Sequence, residues 1–162
     1  MTIASAATVL LWFAAIGSGL LAGLFYAFSA FIMSALRRAG ANVGIDAMNA
    51  INDTILRSSF MPLFLGTTLA SAALIAIALL QWGGAGTMAM LSGGLLLVLG
   101  MFACTMFANV PLNNALKAAG SGEHALPVWQ RFLDQWTRWN HVRTAACTLA
   151  CILFVLALVQ RA

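Results

Sequence analysis

Residues 6–36 read AATVLLWFAAIGSGLLAGLFYAFSAFIMSAL and contain no charged side chain. About 20 apolar residues suffice to cross a bilayer, so this run predicts a transmembrane helix that tilts or extends beyond the lipid. Arg37 and Arg38 stop it at a membrane surface. No Lys or Arg precedes it and it is far too long for a signal-peptide core, so it reads as a retained span. Further apolar runs at 60–82, 87–108 and 144–159 predict three more spans. The chain is 62 % hydrophobic and only 7 % charged, with mean hydropathy +0.95. A soluble domain carries about 25 % charged residues, so lipid must serve as much of the solvent. In lipid the backbone has to satisfy its own hydrogen bonds, which favours helices. The expected fold is all-α: one integral membrane four-helix bundle over 1–162.

The connections carry the charge. Seven of the eight basic residues fall in 37–59 and 109–143, and Arg161 is the exception. The positive-inside rule then puts both long connections in the cytoplasm and both termini outside. No basic stripe with interleaved aromatics accompanies the net charge of +4, so no nucleic-acid partner is expected. From Gly44 on, Ile45, Met48, Ile51, Asn52 and Ile55 share one side of a short helix, which predicts a cytoplasmic amphipathic helix between spans 1 and 2. Asn52 falls within the apolar side and should meet something polar. Cys104, Cys147 and Cys151 lie in apolar runs with no CxxC pair, and read as small packing residues. Two distant histidines and single cysteines give no metal site, although a haem held by one histidine stays open.

Three polar or small-residue clusters interrupt the apolar runs. In the first span Gly19 and Gly23 make a small-xxx-small step, with Tyr26 and Met33 continuing that face. Such residues either let a second helix approach closely or floor a cavity to which Tyr26 offers its hydroxyl. Next, Asn109 and Asn113 flank Pro111, where a kink is expected. They either cap the interrupted helix or donate to a ligand. Finally, Trp136-Thr137-Arg138-Trp139-Asn140-His141-Val142-Arg143 begins a helical extension that runs into span 4. At about 100° per residue, Trp136, Trp139, Asn140, Arg143 and Cys147 share a face, and His141 points roughly 150° away. A kink near Asn140 would turn His141 back inward.

These segments, together with 19–29 and 47–52, resemble the anthrone oxygenase family of small four-helix membrane proteins, which has many bacterial members. The resemblance spans the chain and rests most on Asn109-Val110-Pro111-Leu112-Asn113 and the 136–144 segment. It implies a bacterial cytoplasmic (inner) membrane protein. It also implies oxidation of an anthrone- or quinone-like aromatic by molecular oxygen, with no metal or flavin cofactor. An anthrone is a carbon acid, so such a site needs a base, donors for the developing oxyanion and a flat apolar slot. The implied roles give Trp136 and Trp139 the slot walls, and Asn109, Asn113, Asn140 and Arg143 the donors. Tyr26 relays a proton, and His141 is the base if it faces inward. Gly19, Gly23, Met33 and Asn52 line the substrate.

Two other readings fit the same residues. One is a non-catalytic lipid- or quinone-binding protein. The other is a structural bundle in which Trp and Arg anchor the interface and the asparagines cap helices. Convergence of Asn109, Asn113, Trp136, Asn140 and Arg143 on one cavity separates them. The oligomeric state is not legible.

Overall fold

A computed structural model describes residues 3–120 and 122–161; of the loop expected at 120–124, Ser121 lies outside the described residues. The described residues form helices and no strand. Five helices follow one another: α1 (Ile3–Arg38), α2 (Ala41–Ile55), α3 (Phe60–Leu80), α4 (Thr87–Ala119) and α5 (Glu123–Arg161). All but α2 are long and apolar enough to cross a membrane. The protein is an all-helical membrane bundle.

Helix lengths define its two storeys. At 1.5 Å per residue the 21 residues of α3 span about 31 Å, which matches the roughly 30 Å hydrocarbon layer. With 36, 33 and 39 residues, α1, α4 and α5 are far longer. Their surplus lies at one end. At the other, the tight 81–86 turn holds the end of α5, where Arg161 donates to Gln81 Oε1 at 3.3 Å and to the Ala85 carbonyl at 3.4 Å. Gly86 in that turn has φ 73°, and a Cβ there would come within 2.8 Å of the Ala157 carbonyl oxygen, so glycine is required twice over.

Each storey has its own core. Leu11, Leu21, Leu74, Met90, Leu97 and Phe154 are among the side chains of the membrane core. The surplus of α1, α4 and α5 meets α2 in a cap built around Phe28, Ile45, Met48, Leu116, Trp129 and Phe132. The amphipathic helix expected after span 1 is α2, and its apolar side closes this cap. The helical extension before span 4 is continuous with it as α5.

Register follows a near-heptad spacing, as in coiled coils. On α1 the buried positions include Leu11, Ala14, Ser18, Leu21, Phe25 and Phe28. On α5 they include Trp136, Asn140, Arg143, Cys147, Ala150, Phe154 and Ala157. π-helical turns adjust the register where the two storeys meet. The turn Phe28–Ile32 inserts one extra residue, so that Met33 follows Phe28 into the cap core while Ile32 packs half-buried against it. Two more, Leu96–Ala103 and Thr105–Asn109, precede Pro111, which has no N–H to continue an α ladder.

This register corrects the glycine step. Gly23 is exposed with nothing within 4 Å of an added Cβ, and the nearest atom to one on Gly19 is Cys151 Sγ at 3.6 Å. The close approach belongs to Gly17, where a Cβ would collide with the Thr67 side chain of α3. Gly17→Val should therefore destabilise the bundle by about 1–3 kcal/mol, the usual cost of overpacking. Gly23→Val should change stability by less than about 0.5 kcal/mol. Unfolding midpoints of the two variants in detergent check the register; equal losses would contradict it.

Candidate functional site

A cavity of about 420 Å³ lies where the two storeys meet. Phe25 and Phe28 of α1 wall it on one side, and Asn49, Asn52 and Asp53 of α2 on another. Phe60 and Phe64 close it from α3, Thr105 and Asn113 from α4, and Trp136 and Arg143 from α5. The heptad spacing of α5 delivers Trp136 and Arg143 to it, seven residues apart.

Arg143 is the electrostatic centre of the site. It is 5 % exposed, and its guanidinium sits 4.3 Å from the centroid of the Phe25 ring and 5.1 Å from that of Trp136. Its Nη2 donates to Asn140 Oδ1 at 2.7 Å and its Nη1 to Thr105 Oγ1 at 3.4 Å. Asn140 is fully buried and fixed in turn, donating from Nδ2 to the Phe25 carbonyl and to Ser29 Oγ, each at 2.7 Å. The network ties α1, α4 and α5 together around a cation. No carboxylate joins it. Asp46, Asp53, Glu123 and Asp134 are all exposed, and the ion pairs among the described residues are Arg37–Asp134 and Lys117–Asp53. Two aromatic faces offset part of the cost of burying the charge. No carboxylate among the described residues pairs with Arg143, so an anion bound in the cavity would add to that compensation.

Unpaired polar atoms gather at the same place. Seven buried side-chain polar atoms among the described residues lack a hydrogen-bond partner, and five belong to residues lining this cavity. They are Arg143 Nε, Trp136 Nε1, Asn52 Nδ2, Asn49 Oδ1 and Asn113 Oδ1. Native interiors leave few such atoms, and each costs about 1–3 kcal/mol when unsatisfied. Three donors and two acceptors around an apolar space suit a ligand bearing both carbonyl or oxyanion oxygens and hydroxyl groups. At the rim, Lys117 Nζ and Asp53 Oδ1 pair at 2.6 Å, bridging α4 and α2.

The geometry sorts the residues expected from sequence. Asn52, Asn113, Trp136 and Arg143 line the cavity, and Asn140 holds Arg143 from behind. Asn109 is buried, but it donates to the Trp136 carbonyl at 3.2 Å and does not line the cavity. The π turn that ends at Asn109 aims it at the α5 backbone, so its role is to lock α4 to α5. Met33 packs in the cap core. Gly19 and Gly23 do not line the cavity, because the packed face of α1 runs one residue earlier, through Ser18 and Ala22. Tyr26 follows Phe25 off that face and is 62 % exposed on the outer surface, so it does not present its hydroxyl to the cavity. Trp139 is 45 % exposed, because the face follows Asn140 and Arg143 and leaves it on the flank. His141 is exposed on a helix that runs unbroken through it, and it does not line the cavity.

Sequence reasoning passed over Phe25, Thr105, Asn49, Asp53 and Lys117. Thr105 carried a signal, standing one turn before Asn109. Asn49, three residues before Asn52, carried one too.

Comparison with known proteins places these residues in context. The model of a family described as anthrone oxygenase matches residues 54–153. That span holds Asn109, Asn113, Trp136, Asn140 and Arg143, while the similar segments at 19–29 and 47–52 lie before it. No curated protein and no solved structure matches the chain.

The network makes Asn140 the most exacting position. Asn140→Leu removes the acceptor for Arg143 Nη2 and the donor to Phe25, and should lower stability by about 1–3 kcal/mol. Trp139→Leu and His141→Ala should each shift it by less than about 0.5 kcal/mol. Denaturation of the three variants in one detergent checks this; a large loss for His141→Ala would mean that it faces inward.

Proposed function

The chain belongs to the anthrone oxygenase family, and on that premise we propose that its cavity binds a flat, hydrophobic, anthrone- or quinone-like aromatic and promotes its oxidation by molecular oxygen. The observation that carries this reading is Arg143: a buried cation flanked by two aromatic rings, with no protein carboxylate beside it. Such a group stabilises negative charge on an aromatic oxygen.

In this mechanism the benzylic CH₂ of an anthrone loses a proton, and the charge spreads onto the carbonyl oxygen. Arg143, held by Asn140 and Thr105, stabilises that oxyanion before it forms, so no reorganisation is needed as charge develops. The carbanion gives its electrons to oxygen and forms a C–O bond, and the resulting peroxide anion takes back the proton to become a hydroperoxide. Loss of water then yields the quinone carbonyl. One O₂ is consumed per anthrone, and the products are one quinone and one water. The proton acceptor in the lining is the carboxylate of Asp53, which stands at the rim beside Lys117. Phe25, Phe28 and Trp136 provide apolar walls that keep bulk water from the carbanion. No metal or organic cofactor enters the scheme.

We also place the cap and both long connections in the cytoplasm and the termini outside, in the inner membrane of a bacterium, because basic residues concentrate in 37–59 and 109–143. One observation favours a second reading. Neither histidine nor the tyrosine lines the cavity, which suits a protein that holds a quinone without turning over.

Oxygen uptake and quinone absorbance with a hydroxyanthrone in detergent or liposomes separate the two. Wild type should exceed the spontaneous rate, and Arg143→Met should lower kcat by about 10²–10³-fold, the usual loss for an oxyanion donor. His141→Ala should keep most of the activity. Tight binding of the quinone with no oxygen uptake would support the second reading and defeat the first.

A further inference from the structure

A second hollow, of about 370 Å³, opens on the outer surface between α1 and α2. Leu24, Phe28, Ile51 and Ile55 line both this groove and the central cavity, so these four apolar side chains stand between them. We propose that this groove is a lateral port, through which a membrane-dissolved aromatic enters the cavity from the bilayer. The proposal rests on the function read above for the cavity.

Three observations point to this route. The groove is at the right height. α3, the helix matched to the hydrocarbon layer, begins at Phe60, and Phe60 packs edge-on against Phe25 at 6.5 Å. Leu24 and Phe28 flank Phe25 on the same helix, so the groove sits at the boundary between acyl chains and headgroups. The partition has a soft side: Leu24, Ile51 and Ile55 are each only half-buried and free to change rotamer, while Phe28 is fixed in the cap core. Finally, the alternative mouth is unsuited to an apolar solute. Asp53 and Lys117 bridge it with an ion pair, and Asn114 lies beside them. A hydrophobic aromatic partitions into lipid, where its concentration is highest, and meets the apolar wall before the charged rim.

Ala50 and Thr54 line the groove but not the cavity, so they allow a test that leaves the site intact. In liposomes, Thr54→Cys is labelled with a maleimide on a long alkyl chain and with a charged methanethiosulfonate. Each rate is divided by that of Gln130→Cys, an exposed position on the cap, and wild type sets the background from its three cysteines. The port requires the alkyl reagent to be favoured by about tenfold or more; a preference for the charged reagent overturns it. In a second measurement the double variant Ala50→Phe/Thr54→Phe fills the groove. A hydroxyanthrone delivered from liposomes, followed by quenching of tryptophan emission, should then bind and leave at least about tenfold more slowly with unchanged Kd. Unchanged rates would overturn the port. If wild type binds no hydroxyanthrone, it is the reading of the substrate that fails, and the thiol labelling alone still decides whether the groove opens to lipid.

Discussion

A guanidinium buried among aromatic rings without a carboxylate is the constraint on which this molecule turns. Moving Arg143 into so apolar a place is costly unless every N–H finds a partner or the charge finds a counter-ion. The chain meets part of that demand with Asn140, Thr105, Phe25 and Trp136. Those partners come from α1, α4 and α5, so satisfying one side chain fixes the relative rotation of three helices. The remaining demand, at Nε and in the uncompensated charge, is left facing the junction of the two cores. A purely structural role would be better served by a methionine or leucine at this position.

The π turns are the second device. Each adds one residue to a turn and rotates everything beyond it by about a quarter turn. On α1 the membrane core ends at Phe25, and the turn lies inside the cap, between Phe28 and Met33. On α4 the same device brings Thr105 toward Arg143 and Asn109 toward the α5 backbone. The cavity lies at the level of these turns, where the packing of the two storeys does not mesh.

Much of this was legible in the sequence, and what was not has identifiable causes. Charge-free runs and their bounding arginines reveal the spanning helices because lipid imposes a constraint that composition cannot disguise. The 136–143 cluster revealed Arg143, Asn140 and Trp136, because i, i+4, i+7 spacing survives any small error in pitch. Trp139 was misplaced because a tryptophan 60° off the centre of a face is equally compatible with its edge, and the heptad drift decides. Gly19, Gly23 and Tyr26 were misplaced for a sharper reason. Small residues are so frequent on α1 that the small-xxx-small pattern can be read in several registers, and Gly17 against Thr67 selects a different one. Asn49 and Thr105 were passed over although their spacing to Asn52 and Asn109 hinted at them, because the unpartnered Asn49 Oδ1 and the Thr105 contact with Arg143 exist only in the assembled molecule.

The disparity between α3 and its neighbours has a further consequence. The 33 to 39 residues of α1, α4 and α5 outrun the hydrocarbon layer at the cap end, while the 21 residues of α3 just match it. Hydrophobic mismatch at α3 alone therefore sets the height at which the molecule floats. The cap and cavity are bolted to that height through Phe60 and Phe25. A thicker bilayer draws the cavity mouth into the acyl layer, and a thinner one lifts it among the headgroups. The composition of the surrounding membrane, and not only the chain, thus fixes the dielectric surroundings of the site.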